Sequence, residues 1–84
     1  MTERKRIREY ILENFMFTDD EAALNDGESL LTKGVIDSVG ALEITQFIEE
    51  TFSIKVKEDE MLPENLDSVD NIVSFVQRKQ SASS

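Results

Sequence analysis

Residues 34–53 read GVIDSVGALEITQFIEETFS, and this stretch decides the fold. Val39, Leu42, Ile44, Phe47, Ile48 and Phe52 recur at helical spacing, which predicts an amphipathic helix ending by Ser53. Asp37 or Ser38 caps its start, since either residue type can accept from the free amides there. Glu43, Glu49 and Glu50 interrupt the apolar positions, so the helix has a polar face and is not buried all round. Ile44, Ile48 and Phe52, four residues apart, are assigned to the core.

Working outward, Ile7, Tyr10, Ile11 and Phe15 predict a first amphipathic helix from about Glu3 to Met16, with Asn14 interrupting its stripe. From Phe17 to Asp37 the period is lost, and Asp19, Asp20, Asn25, Asp26, Gly27, Ser29 and Gly34 favour turns. Such a long connection is uncommon in a compact domain unless it serves a function. Leu24, Leu30, Leu31 and Val35 are expected to pin it to the core, and Thr18-Asp19-Asp20-Glu21 to cap a short helical turn. Beyond the second helix, residues 53–57 alternate too briefly for a sheet and read as an extended connector. Pro63 opens a helical turn through Leu66, and Asp67 or Ser68 caps a last helix that buries Val69, Ile72, Val73, Phe75 and Val76. The prediction is all-α: a four-helix bundle of three main helices and one short one, with a long first loop. Residues 1–80 form the domain and residues 81–84 a disordered tail.

The chain has 84 residues, enough for one core but not for a separate catalytic domain. It contains no cysteine and no histidine, which excludes disulfides, thiolate nucleophiles, Cys/His metal sites and a Ser-His-Asp relay. No calcium loop of alternating acids is present. The net charge of −9 repels nucleic acid and calls for basic partners. Arg4, Lys5, Arg6 and Arg8 crowd the start, whereas all 18 acids except Glu3 lie between Glu9 and Asp70. Without an apolar span or a signal peptide, a cytoplasmic monomer is expected.

Ser38 stands where an irregular loop becomes a helix. Free amides and the helix dipole favour a bound anion at that end, so Ser38 suits a phosphodiester as well as it suits a plain cap. It cannot activate itself, because no histidine is available to take its proton.

Gly34-Val35-Ile36-Asp37-Ser38-Val39 followed by Leu42-Glu43-Ile44 resembles the phosphopantetheine attachment motif of acyl carrier proteins. Glu49-Glu50-Thr51-Phe52 is similar to the acidic end of that family's second helix, and Ile54 to Val56 to the short extended stretch after it. The resemblance covers Ile7 to Val76. It implies a carrier that is not itself an enzyme. Ser38 would bear a covalent 4'-phosphopantetheine whose thiol holds an acyl group as a thioester, with Asp37 as the acid beside it. Val39, Gly40, Leu42, Glu43, Glu49 and Glu50 would form the face read by partners: a phosphopantetheinyl transferase, and an acyl or aminoacyl ligase or synthase with a basic patch. Gly40 and the segment from Met61 to Val69 depart from the general fatty-acid pattern, which points to a free-standing carrier dedicated to one pathway of fatty-acid or secondary-metabolite synthesis. Gly40→Ala is expected to add less than ~1 kcal/mol of stability. Acyl cargo comes first. The alternative is aminoacyl or peptidyl cargo, as in the D-alanyl carrier proteins, which resemble this sequence at that glycine but are otherwise not a close match. An acidic helical adaptor with no prosthetic group also stays open.

Overall fold

The computed structural model describes residues 2–83, and the side chains of residues 3–81. Four α-helices are found among the described residues: α1 (Thr2–Ile11), α2 (Ser38–Phe52), α3 (Pro63–Leu66) and α4 (Val69–Ser83). No strand occurs among them. The all-α bundle of three main helices and one short helix is thus as expected, and so is the long loop from Phe17 to Asp37.

Helix α1 ends earlier than the apolar spacing suggested. Leu12–Met16 form a π-helical turn, and Phe17 closes it in the left-handed region at φ 54°. Asn14 lies in this turn and donates its side-chain amide to the Tyr10 carbonyl at 2.9 Å, a local bond that competes with regular helix. Within the loop the short turn falls at Glu21–Ala23, and Asp20 rather than Thr18 caps it, accepting from the Ala22 amide. Ser68 caps α4 by accepting from the Asn71 amide at 3.1 Å. That helix runs through Ser83 where a tail from residue 81 was expected; Ala82 and its neighbours carry no helix-breaking residue, and Ser84 lies outside the described residues.

The core follows the predicted stripes. Ile7 and Ile11 of α1, Ile44 and Ile48 of α2, and Val69, Ile72, Val73, Phe75 and Val76 of α4 are buried together. Phe52 packs against this cluster while half-buried. Leu24 and Leu30 anchor the loop as expected, with Val35 half-buried beside them. Leu31 does not: the side chain next to buried Leu30 turns outward and is exposed.

An ion-pair network absent from the sequence reading ties the loop to two helices. Arg4 of α1 reaches Asp26 at 2.7 Å and Asp70 of α4 at 2.6 Å. Arg8 bonds Asp26 as well, and its guanidinium also donates to the carbonyls of Leu24 at 2.9 Å and Glu21 at 2.6 Å. Burial pushes the Asp26 carboxyl up, but the hydrogen bonds from Arg8 and Arg4 outweigh it and hold it below the usual aspartate range. A depressed folded-state pKa means stability that is complete above the unfolded value of about 3.9 and lost as pH falls through the lower folded value. Asp26→Asn is therefore expected to lower stability at pH 7 by about 1–2 kcal/mol and to flatten the acid limb of the stability curve below about pH 4. Urea denaturation across pH checks this; an unchanged acid limb would remove Asp26 from the account.

Candidate functional site

The loop enters α2 through a tight set of backbone bonds. The Leu30 carbonyl accepts from the amides of Val35 at 2.9 Å and Ile36 at 3.4 Å, and Gly34 just before them takes φ 75°, a conformation that favours glycine. Ile36 is buried, which fixes the chain before it emerges at Asp37. Asp37 is the cap: its Oδ1 accepts from the Gly40 amide at 2.8 Å. Ser38 is the first helical residue and is exposed, and its hydroxyl makes no hydrogen bond with any described residue. Of the two candidate caps, the structure uses the aspartate and leaves the serine free.

A cleft of about 280 Å³ opens beside Ser38. Leu31, Ile36, Asp37, Ser38 and Ala41 form one wall, and Met61, Leu62, Pro63 and Leu66 form the other. Apart from Asp37 and Ser38 the lining is apolar. Two of its lining residues are exposed, Leu62 at 41% and Leu31 at 38%, and so are Val39 at 64% and Leu42 at 46%, next in sequence to the lining residues Ser38 and Ala41. Val39 and Leu42 were expected here or in the core, and their exposure puts them on the surface. Leu31 and Leu62 were missed, because an apolar residue in a loop reads first as an anchor. Such a set of exposed apolar side chains marks a contact surface more readily than scattered single ones.

The three glutamates divide. Glu43 and Glu50 are exposed. Glu49 is half-buried, and its carboxylate accepts from the Val56 amide at 2.9 Å, so it closes the connector after α2 in addition to carrying charge. Gly40 lies elsewhere than its sequence neighbours suggest. It was expected on the partner face but is buried, because it shares the inward stripe of Ile44 and Ile48. A Cβ there would lie 3.0 Å from Phe15 Cε1 and 3.2 Å from Ile36 Cβ. Ile36 Cβ is held by its own buried backbone position and cannot swing away, so overpacking outweighs the gain in helix propensity. Gly40→Ala is now expected to destabilise by about 1 kcal/mol, opposite in sign to the sequence expectation. A thermal midpoint above wild type would show that Phe15 and Ile36 yield freely.

The residues fit a phosphopantetheine on Ser38. The hydroxyl is accessible and unpaired among the described residues, the start of the 15-residue α2 favours an anion, and an apolar cleft lies beside it. No helix among the described residues is long and apolar enough to cross a membrane.

No protein-family model matches the chain. It is similar to the D-alanyl carrier proteins of Streptococcus pyogenes serotype M5 (strain Manfredo), serotype M49 (strain NZ131) and serotype M1. Each is 36% identical over 78 residues, covering 90% of this chain and 98% of the relative. Identity at that level along nearly the full length of both partners, on an all-α bundle with a free serine at the start of α2, means that this chain belongs to the carrier protein family that includes the D-alanyl carrier proteins.

Proposed function

We propose that this protein carries a D-alanyl group as a thioester on a 4'-phosphopantetheine arm attached to Ser38, and presents it to partner enzymes. The observation that carries the attachment is the exposed, unpaired Ser38 hydroxyl beside an aspartate that caps the helix in its place. The choice of D-alanyl over a longer acyl group rests on the three relatives named above, each of which carries that name. When attached, the arm supplies a terminal thiol that holds a carboxylic acid as a thioester. The chain's own part is to hold, orient and present: Asp37 fixes the first turn of α2, the cleft walls offer apolar contact, and no residue performs chemistry. A transferase adds the arm and a ligase loads it, with the carrier a cytoplasmic monomer.

A second reading, acyl cargo, draws on the cleft. Its lining is largely apolar, and burying the ammonium of an alanyl group there would cost several kcal/mol, whereas an acyl chain would enter favourably. Under the D-alanyl reading the charged group stays in water. Mass spectrometry of the arm-bearing protein decides, after incubation with ATP and either D-alanine and a D-alanine ligase or a medium-chain fatty acid and an acyl ligase. Addition of one alanyl residue is the expected result; addition of the fatty acid alone would overturn the cargo assignment.

The docking face is built from the same geometry. Glu43 and Glu50 are exposed acids on α2, the helix that also carries the exposed Val39 and Leu42. Charges of one sign steer a basic partner and add little to folding. Replacing both with Gln is expected to slow arm transfer several-fold at low salt, with the difference shrinking at high salt and the thermal midpoint nearly unchanged. Stopped-flow rates across ionic strength test this; a deficit independent of salt would assign the acids another role.

A further inference from the structure

Asp67 lies outside every motif that identifies the site, yet it joins both walls of the cleft. Its amide donates to the Pro63 carbonyl at 2.8 Å and so terminates α3, which with Leu62 forms one wall. Its backbone carbonyl accepts from the Leu30 amide at 2.6 Å. Its carboxylate accepts from the Leu31 amide at 3.0 Å and from the Ser29 hydroxyl at 2.9 and 2.8 Å. Leu31 belongs to the opposite wall, and Leu30 in turn receives the amides of Val35 and Ile36 that lead into Ser38. The two tied segments are far apart in sequence, as the separation of 36 between Leu31 and Asp67 records. Asp67 thus ties the two walls through its side chain as well as through its backbone.

We propose that Asp67 is a positioning residue for the arm on Ser38: by pinning Ser29 and Leu31 to the end of α3 it holds the apolar walls at the separation that accepts the arm. This rests on the reading of Ser38 as the attachment site. The buried cluster includes Leu30 and Leu66 on either side of the tie but not Asp67 itself, so apolar packing holds the bundle when the carboxylate's bonds are lost. Loosening the tie therefore widens the cleft while the bundle persists.

The test uses the full chain carrying its arm. Nuclear Overhauser contacts are measured between the geminal methyl groups of the arm and the side chains of Leu31 and Leu62. Hydrogen exchange at the Leu31 amide is followed beside that at Ile72. In the wild type the contacts are expected. In Asp67→Ala they disappear and Leu31 exchanges several-fold faster, while Ile72 is unchanged. Asp67→Asn, which keeps an oxygen acceptor in place, retains the contacts. Ser29→Ala, a milder change, weakens them and serves if Asp67→Ala fails to fold. Contacts undiminished in Asp67→Ala, or absent already in the wild type, would overturn the proposal. Failure of Ser38 to take the arm at all would instead overturn the attachment reading on which it rests.

Discussion

Ser38→Ala is expected to abolish arm attachment and every subsequent loading step, and to leave the fold almost untouched. The two halves of that expectation have separate causes. Attachment is lost because the reacting hydroxyl is removed. Stability is kept because the helix is capped by Asp37, whose carboxylate holds the Gly40 amide, while the Ser38 hydroxyl holds nothing among the described residues. The change in stability should stay within about 0.5 kcal/mol, the range of surface substitutions. Asp37→Ala should do the reverse in kind: it removes the cap and costs about 1 kcal/mol. Thermal unfolding of both variants beside an attachment assay separates the roles. A large loss of stability in Ser38→Ala would return the serine to a capping function.

Leu30→Ala is the second large effect, this time on the fold. Leu30 is fully buried, although it sits in the loop rather than in a helix. Truncating a buried leucine costs about 2–5 kcal/mol through lost burial and the cavity left behind. Small domains have only about 5–15 kcal/mol in total, and an 84-residue chain lies toward the lower part of that range. The loop should detach with it, because the Leu30 backbone is bonded to Asp67 on one side and to Val35 and Ile36 on the other. The urea midpoint is expected to fall sharply, and arm transfer to fall with it. A loss under about 1 kcal/mol would mean that the loop is not anchored through this side chain.

These two residues also mark how far the sequence could be read. Helices α2 and α4 were legible because their apolar residues repeat at helical spacing, and the turn at Pro63 because proline suits a first helical position. Ser38 was legible as one of two candidate caps, but spacing could not choose between it and Asp37. That choice depends on which side chain reaches the Gly40 amide, a matter of backbone geometry.

The inward position of Gly40 does have a signal in the sequence. Gly40, Ile44 and Ile48 are four residues apart, so the spacing that puts the isoleucines inside puts the glycine there too. Lacking a side chain, it carries no hydropathy to mark its face. The network of Arg4, Arg8, Asp26 and Asp70 had no comparable signal. Its partners are 18 to 66 residues apart, and local patterns say nothing about which charges meet across a fold. The same holds for Asp67, which reads locally as a helix cap and acts instead as a tie between distant segments. Glu49 illustrates a residue with two roles, charged on the helix surface yet bonded to the Val56 amide.

Ser38 as the proposed attachment point of a phosphopantetheine arm is tested most directly on the unaltered chain. The protein would be incubated with coenzyme A and a broad-specificity phosphopantetheinyl transferase, its intact mass determined, and the modified residue located by peptide fragmentation. The expected result is the addition of a single 4'-phosphopantetheine group, located on Ser38. No addition under conditions that modify another carrier, or an addition located on Ser29 or Ser68, would contradict it.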